Sequence, residues 1–189
     1  MIEIPLPTSV PAVRVRFENK LPSLSIGGES KKPFLSRIKT NYIVPDRAER
    51  IMESDVFIIQ EASSGEIDRI TLAIEDFDYE KGLLTIAELL NPAHLAWWSE
   101  INNSYLDGYT VGLFPAEAGP RTIEQYKSQP YNEILWVATE WLIYEGDCHL
   151  FCIKRHQDGK QWLHVGLINP EEDRFHSGSL ITFQLLKRT

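Results

Sequence analysis

Two cysteines and two histidines fall within one short run, CHLFCIKRH, at Cys148, His149, Cys152 and His156. Thiolates and imidazoles bind zinc when about four of them converge on one point. On a β-strand, Cys148 and Cys152 share a face but stand roughly 13 Å apart, and His149 points to the opposite face. Such thiols neither chelate one ion nor form a disulfide. The strand reading therefore makes them buried thiols, and it implies no metal and no cofactor.

Other chemistry-bearing residues meet similar objections. Glu75, Asp76, Asp78 and Glu80 offer paired carboxylates for acid–base work or a divalent cation. With a turn over residues 78–82 they become a solvated hairpin tip, and calcium-loop spacing is absent. Ser177 and Ser179 lie beside His176, but the frame is not that of a nucleophile elbow and the stretch leads into a strand. GGESKK, beginning at Gly27, lacks phosphate-loop spacing and reads as a turn or loop. Arg121 opens a short helix, where an anion can sit, yet it reads more simply as a salt-bridged surface arginine. No catalytic constellation survives, which favours a non-enzymatic role over an enzymatic one.

Binding has more support. Arg14, Arg16, Lys31, Lys32, Arg37 and Lys39 are interleaved with Phe17, Phe34 and Tyr42. Cations on phosphates and rings under bases are what single-stranded nucleic acid needs, and Arg14, Arg16, Lys31 and Lys32 are the expected contacts. The net charge of −8 argues against general DNA coating. Charge is also segregated: residues 1–50 carry nine Lys/Arg against five Asp/Glu, and residues 51–118 carry two against thirteen.

Adjacent tryptophans, Trp97 and Trp98, pose a geometric problem. On a helix adjacent side chains diverge by about 100°, so both cannot centre one buried face. Asn91 is a good N-cap, Pro92 fits the first helical position, and Asp107-Gly108 ends the helix. On residues 91–106 the core stripe is then His94, Leu95, Trp98, Ile101 and Tyr105, leaving Trp97 at the margin. Trp97, Tyr105, Tyr109 and Trp162 are the expected protein-interface residues, because aromatic anchors carry interfaces.

The elements that must position these residues follow from periodicity. VRVRF at residues 13–17 alternates like a strand, and residues 45–52 read as a short helix opened by Pro45. Strands are expected over residues 56–62, on both sides of the turn at 78–82, and over residues 109–115. A helix is expected over 120–127, then strands over 134–144, 149–155, 162–168 and 179–186. Glu145-Gly146-Asp147 and Gln157-Asp158-Gly159 supply the turns. The strand at 134–144 is apolar on both faces and should be central.

The composition allows a core without disulfide staples, and the start of the chain has no signal-peptide pattern. The reading is a soluble, cytoplasmic, single α+β domain with a largely antiparallel sheet and one or two packed helices. Residues 1–54 form an extended, basic, Pro-rich segment, and residues 55–189 the sheet body. The leading expectation for function is an accessory or adaptor subunit that binds a protein partner. One alternative is a small-molecule-binding protein or enzyme with a pocket lined by Trp136, Trp141, Cys152 and His164. Another is contact with RNA or single-stranded DNA. No membrane partner is expected.

Overall fold

The computed structural model describes residues 21–61, 65–74, 84–176 and 178–188. The expected strand at 13–17, Arg14, Arg16, the acidic residues at 75–80 and Ser177 lie outside that range. The chain is a mixed α/β fold, with β1 Leu24–Ile26, α1 Lys31–Asn41, α2 Asp46–Glu53, β2 Gly65–Ile67 and β3 Arg69–Ala73 in its first half. There follow α3 Ile86–Leu89, α4 Pro92–Ile101, α5 Asn103–Leu106, β4 Tyr109–Gly112 and α6 Ala118–Gln125. The last third is β5 Ile134–Val137, β6 Leu142–Tyr144, β7 Asp147–Arg155, β8 Gln161–Ile168 and β9 Leu180–Lys187.

β1 and β2 form a separate antiparallel pair, and the other strands make one sheet. Gln184 of β9 has a partner on each side, Arg69 of β3 and Gly112 of β4. His149 of β7 likewise lies between Leu142 of β6 and Leu167 of β8. β5 thus lies between β9 and β7, and beyond its C-terminal end β4 continues the pairing along β9 and β6 along β7. All pairings are antiparallel except β5 with β9. The parallel pair makes the sheet mixed, a refinement of the antiparallel expectation. β5 is central, as its apolar residues on both faces require. The strand expected over 134–144 is interrupted, however, because Phe114 donates its N–H to Ala138 O (2.8 Å) and bridges Thr139.

Each sheet face has its own core. Leu72, Ile181, Phe183 and Leu150 pack under α3 and α4 through Leu89, Leu95 and Trp98. On the other face Val137, Phe151, Ile153 and Leu163 meet Phe34, Ile38, Ile51 and Met52 of α1 and α2, with Ile123 of α6. The β7–β8 register pairs Phe151 with Val165 and Cys152 with His164, so the expected alternation holds.

The described part of the N-terminal third corrects the extended reading, since residues 31–41 and 46–53 are helical. Pro33 lies in the first turn of α1, where its missing N–H costs no helical bond. A buried ionic lattice anchors this segment. Arg121, 7% exposed, donates to Glu29 (2.7 Å) and Glu117 (3.3 Å), with its guanidinium 4.3 Å from the Phe34 ring centre. Glu117, fully buried, also accepts from Gly27 N and Gln60 N. Arg121 is therefore a buried keystone and not a surface arginine. Glu117 and Lys31 also explain why residues 56–61 form no strand. Lys31 Nζ donates to the carbonyls of Ser54 and Phe57 (2.5 and 2.8 Å), so side chains satisfy a backbone that a ladder otherwise would.

The second strand expected after residue 82 is also corrected, because Ile86–Leu89 is helical. Thr85 Oγ1 accepts from Glu88 N and Glu88 returns the bond to Thr85 N, a capping box.

Candidate functional site

The tryptophan helix begins as its sequence requires. Asn91 Oδ1 accepts from Ala93 N (2.8 Å), Pro92 takes the first position, and His94, Leu95 and Trp98 are buried. Trp97 is half-buried at the margin, its ring 5.5 Å from that of His94. The helix does not run on to residue 106. Asn102, 2% exposed, turns its amide back onto Trp98 O (2.9 Å) and leaves helical geometry at φ −103°, ψ 19°. Ile101, the last residue of the helix, and Tyr105, beyond the break, are 42% and 43% exposed, so neither joins the core stripe. Asp107 and Gly108, both at positive φ, then turn the chain into β4.

That turn builds one wall of a cleft of about 490 Å³. Tyr105, Leu106, Asp107 and Tyr109 form this wall, residues 21–23 face it, and Leu185 of β9 lies between. Asp68, Arg69, Ile70 and Thr71 complete the lining. Consecutive residues of one strand point to alternate faces, so four in a row line a cleft together only along the strand's edge. The cleft therefore runs beside the start of β3. Ser23 Oγ donates to Asp68 Oδ1 (2.9 Å), and Arg69 Nε donates to Pro22 O (2.6 Å), which ties residues 22–23 to the strand.

The four expected interface residues do not converge. Tyr105 and Tyr109 share the cleft. Trp97 packs against the core under α4. Trp162 is on β8, across the sheet from β3. The expected pocket residues gather better. Cys152 pairs with both Trp136 and His164, and Trp162 stacks on His164 with ring centres 5.4 Å apart and planes at 9°. His156 adds a third ring, 4.6 Å from Trp162. Trp136 reaches Phe175 (5.4 Å) and crosses Gly166. Trp141 lies in the break between β5 and β6 and packs against the same core.

The chemistry of this face is quiet. Burial pushes the Cys152 thiol up to about 12, which keeps it protonated and unreactive. Burial first, then the neighbouring His156 and Lys154, hold His164 below its ordinary value. Among the described residues no group of three or more His, Cys, Asp or Glu has a metal-binding arrangement. Of the expected nucleic-acid contacts within the described range, Lys31 is committed to two backbone carbonyls, whereas Lys32 is exposed. No helix among the described residues is long and apolar enough to cross a membrane. The chain matches no protein-family model, no curated protein and no solved structure.

Sequence reasoning missed Arg69. Its neighbourhood, DRITLA, is an ordinary alternating strand, and no local signal marks this arginine as buried. Tyr105 and Tyr109 were legible as aromatic residues flanking an Asp-Gly turn.

Proposed function

We propose that the chain is a non-enzymatic accessory protein that binds a protein partner, and that the cleft between Tyr105, Tyr109 and the start of β3 receives it. The observation that carries this reading is the break at Asn102, beyond which Tyr105 is 43% exposed and lines the cleft wall. Partly exposed aromatic side chains beside a concavity are what a partner's anchor residues pack against. A cleft of about 490 Å³ also falls in the range of small-ligand pockets, which supports a small-molecule reading second. Nothing adds support to the nucleic-acid reading, since Lys31 is held internally.

Native mass spectrometry of the protein purified from its own cells tests the proposal. The expected result is a stoichiometric protein companion whose binding Tyr105→Ala weakens by about 1–2 kcal/mol, the cost of losing an interface anchor. A chain that emerges alone, or a companion indifferent to Tyr105→Ala, overturns it.

A further inference from the structure

The charged residues that line the cleft are divided by the pleat of the sheet. Leu185 N donates to Asp68 O (2.8 Å), which carries the β3–β9 ladder one residue beyond Arg69. Side chains alternate along a strand, so Asp68 and Ile70 lie on one face with Leu185 of β9 and Tyr109 of β4. Arg69 lies on the opposite face, where Pro22 O and Thr122 Oγ1 accept from its Nε and Nη1. The basic member of the lining is thus turned away. The two acidic members, Asp68 and Asp107, are exposed.

Neither carboxylate is neutralised. Asp68 accepts only from a neutral hydroxyl, Ser23 Oγ (2.9 Å), and Asp107 has no ion pair or side-chain hydrogen bond among the described residues. Lys187, which the register places beside Tyr109, is not part of the lining and pairs with neither aspartate. The acids belong to opposite walls, Asp107 with Tyr105 and Tyr109, Asp68 with Ser23. Between them the lining is apolar and aromatic. Ile70 and Leu106 are buried, Leu185 and Tyr109 are half-buried, and Tyr105 is 43% exposed.

We propose that the cleft receives a basic side chain, lysine or arginine, presented by the protein partner. Its charge lies between Asp68 and Asp107, and its aliphatic stem packs on Leu185 and Tyr105. The proposal rests on reading the cleft as the partner site, and it names the chemistry the partner presents there. A long basic side chain joins a cation to an apolar stem, and a tyrosine face attracts that cation. The same two aspartates repel a carboxylate or a phosphate. Both belong to residues 51–118, which carry two Lys/Arg against thirteen Asp/Glu, so the wider field also steers a cation here. The net charge of −8 opposes a second copy as the occupant. Exposed ion pairs are individually weak, so stem and ring supply most of the affinity and the aspartates select the sign of the charge.

The test uses the full chain and N-acetylargininamide, with the citrulline analogue as an uncharged probe of nearly the same shape. Binding is followed by amide NMR and calorimetry. The arginine probe should shift the Asp107, Tyr109 and Leu185 signals saturably, bind at least about fivefold tighter than the citrulline probe, and weaken as salt rises. Asp68→Asn combined with Asp107→Asn should erase that preference and weaken the companion's binding. The chain should still fold, because Asn can accept from Ser23 and tolerates the positive φ at position 107. Equal binding of the two probes, or an arginine preference that survives the double substitution, overturns the assignment. A preference that appears only after Arg14→Gln and Arg16→Gln makes this chain's own arginines the occupant, and a dimer that the double substitution dissociates makes it a second copy. Either result overturns the partner assignment. If companion binding depends on Tyr105 and ignores both aspartates, this inference falls and the cleft remains the partner site. If the arginine probe binds as expected and the chain purifies alone, the protein-partner reading falls and the site for a basic group stands.

Discussion

The indole of Trp136 occupies the space that Gly166 leaves by having no side chain: a Cβ at Gly166 would lie 2.7 Å from Trp136 Cη2. Trp136 is on β5 and Gly166 on β8, with β7 between them, so the ring spans a neighbouring strand to reach it. Gly166→Ala should push the ring aside and cost about 1–3 kcal/mol, the usual range for overpacking. A lower urea midpoint with an altered near-ultraviolet tryptophan signal is the expected observation. An unchanged midpoint means that the ring has somewhere else to go.

Ser99 joins α4 to β4. It is fully buried, donates to Leu95 O (2.7 Å) and accepts from Val111 N (2.8 Å). Ser99→Ala leaves the Val111 N–H without an acceptor in the core and should cost about 1–3 kcal/mol. Thr110→Ala is the control, because its hydroxyl makes only an exposed 3.4 Å contact, and it should change stability by less than about 0.5 kcal/mol. Denaturant melts of the two variants side by side measure the difference.

Acid should destabilise the fold in two steps. His164 has its folded pKa held below the ordinary 6.5, chiefly by burial and then by His156 and Lys154. The unfolded chain therefore binds more protons as pH falls through 6.5, and stability falls with it. Glu29 has its folded pKa lowered from 4.5, first by its hydrogen bond from Arg37. Its contribution is full above 4.5 and is lost as pH drops below that value. Tm measured from pH 7.5 to 4 should decline from about pH 6.5 downward. His164→Phe, which keeps a ring against Trp162, should flatten the decline above pH 5. Identical slopes with and without His164 would assign that step elsewhere.

Local chemistry determined much of the architecture. Asn91 and Pro92 announce the tryptophan helix because capping needs only neighbours in sequence, and Trp98 is its buried ring for the same reason. The β7–β8 hairpin was legible because period-2 alternation and Asp158-Gly159 specify register together. Thr85 and Glu88, three residues apart, also carried their capping signal, although the apolar residues around them resembled a strand. Helix α1 was less readable. Phe34, Leu35 and Ile38 are its buried side chains, and Gly27, Gly28 and Pro33 nearby signal a loop.

Only tertiary structure decided which charges lie inside. Arg14 and Arg16 lie outside the described residues, and Arg121, Arg69 and Lys31 have nothing in sequence to separate them from surface cations. Arg121 is buried because Glu29 arrives from a distant part of the chain to join Glu117, one helical turn away, in neutralising it. Lys31 turns inward because the carbonyls of Ser54 and Phe57 meet it. Arg69 faces inward because β3 pairs with β9 in a register that puts Ile70 and Leu72 on the opposite face. The sequence by itself therefore determined the helices with caps and the strands with strict alternation, because those signals act between near neighbours. The tertiary structure alone decided the cleft and the burial of Arg69 and Arg121, because burial of a charge depends on contacts between residues tens of positions apart.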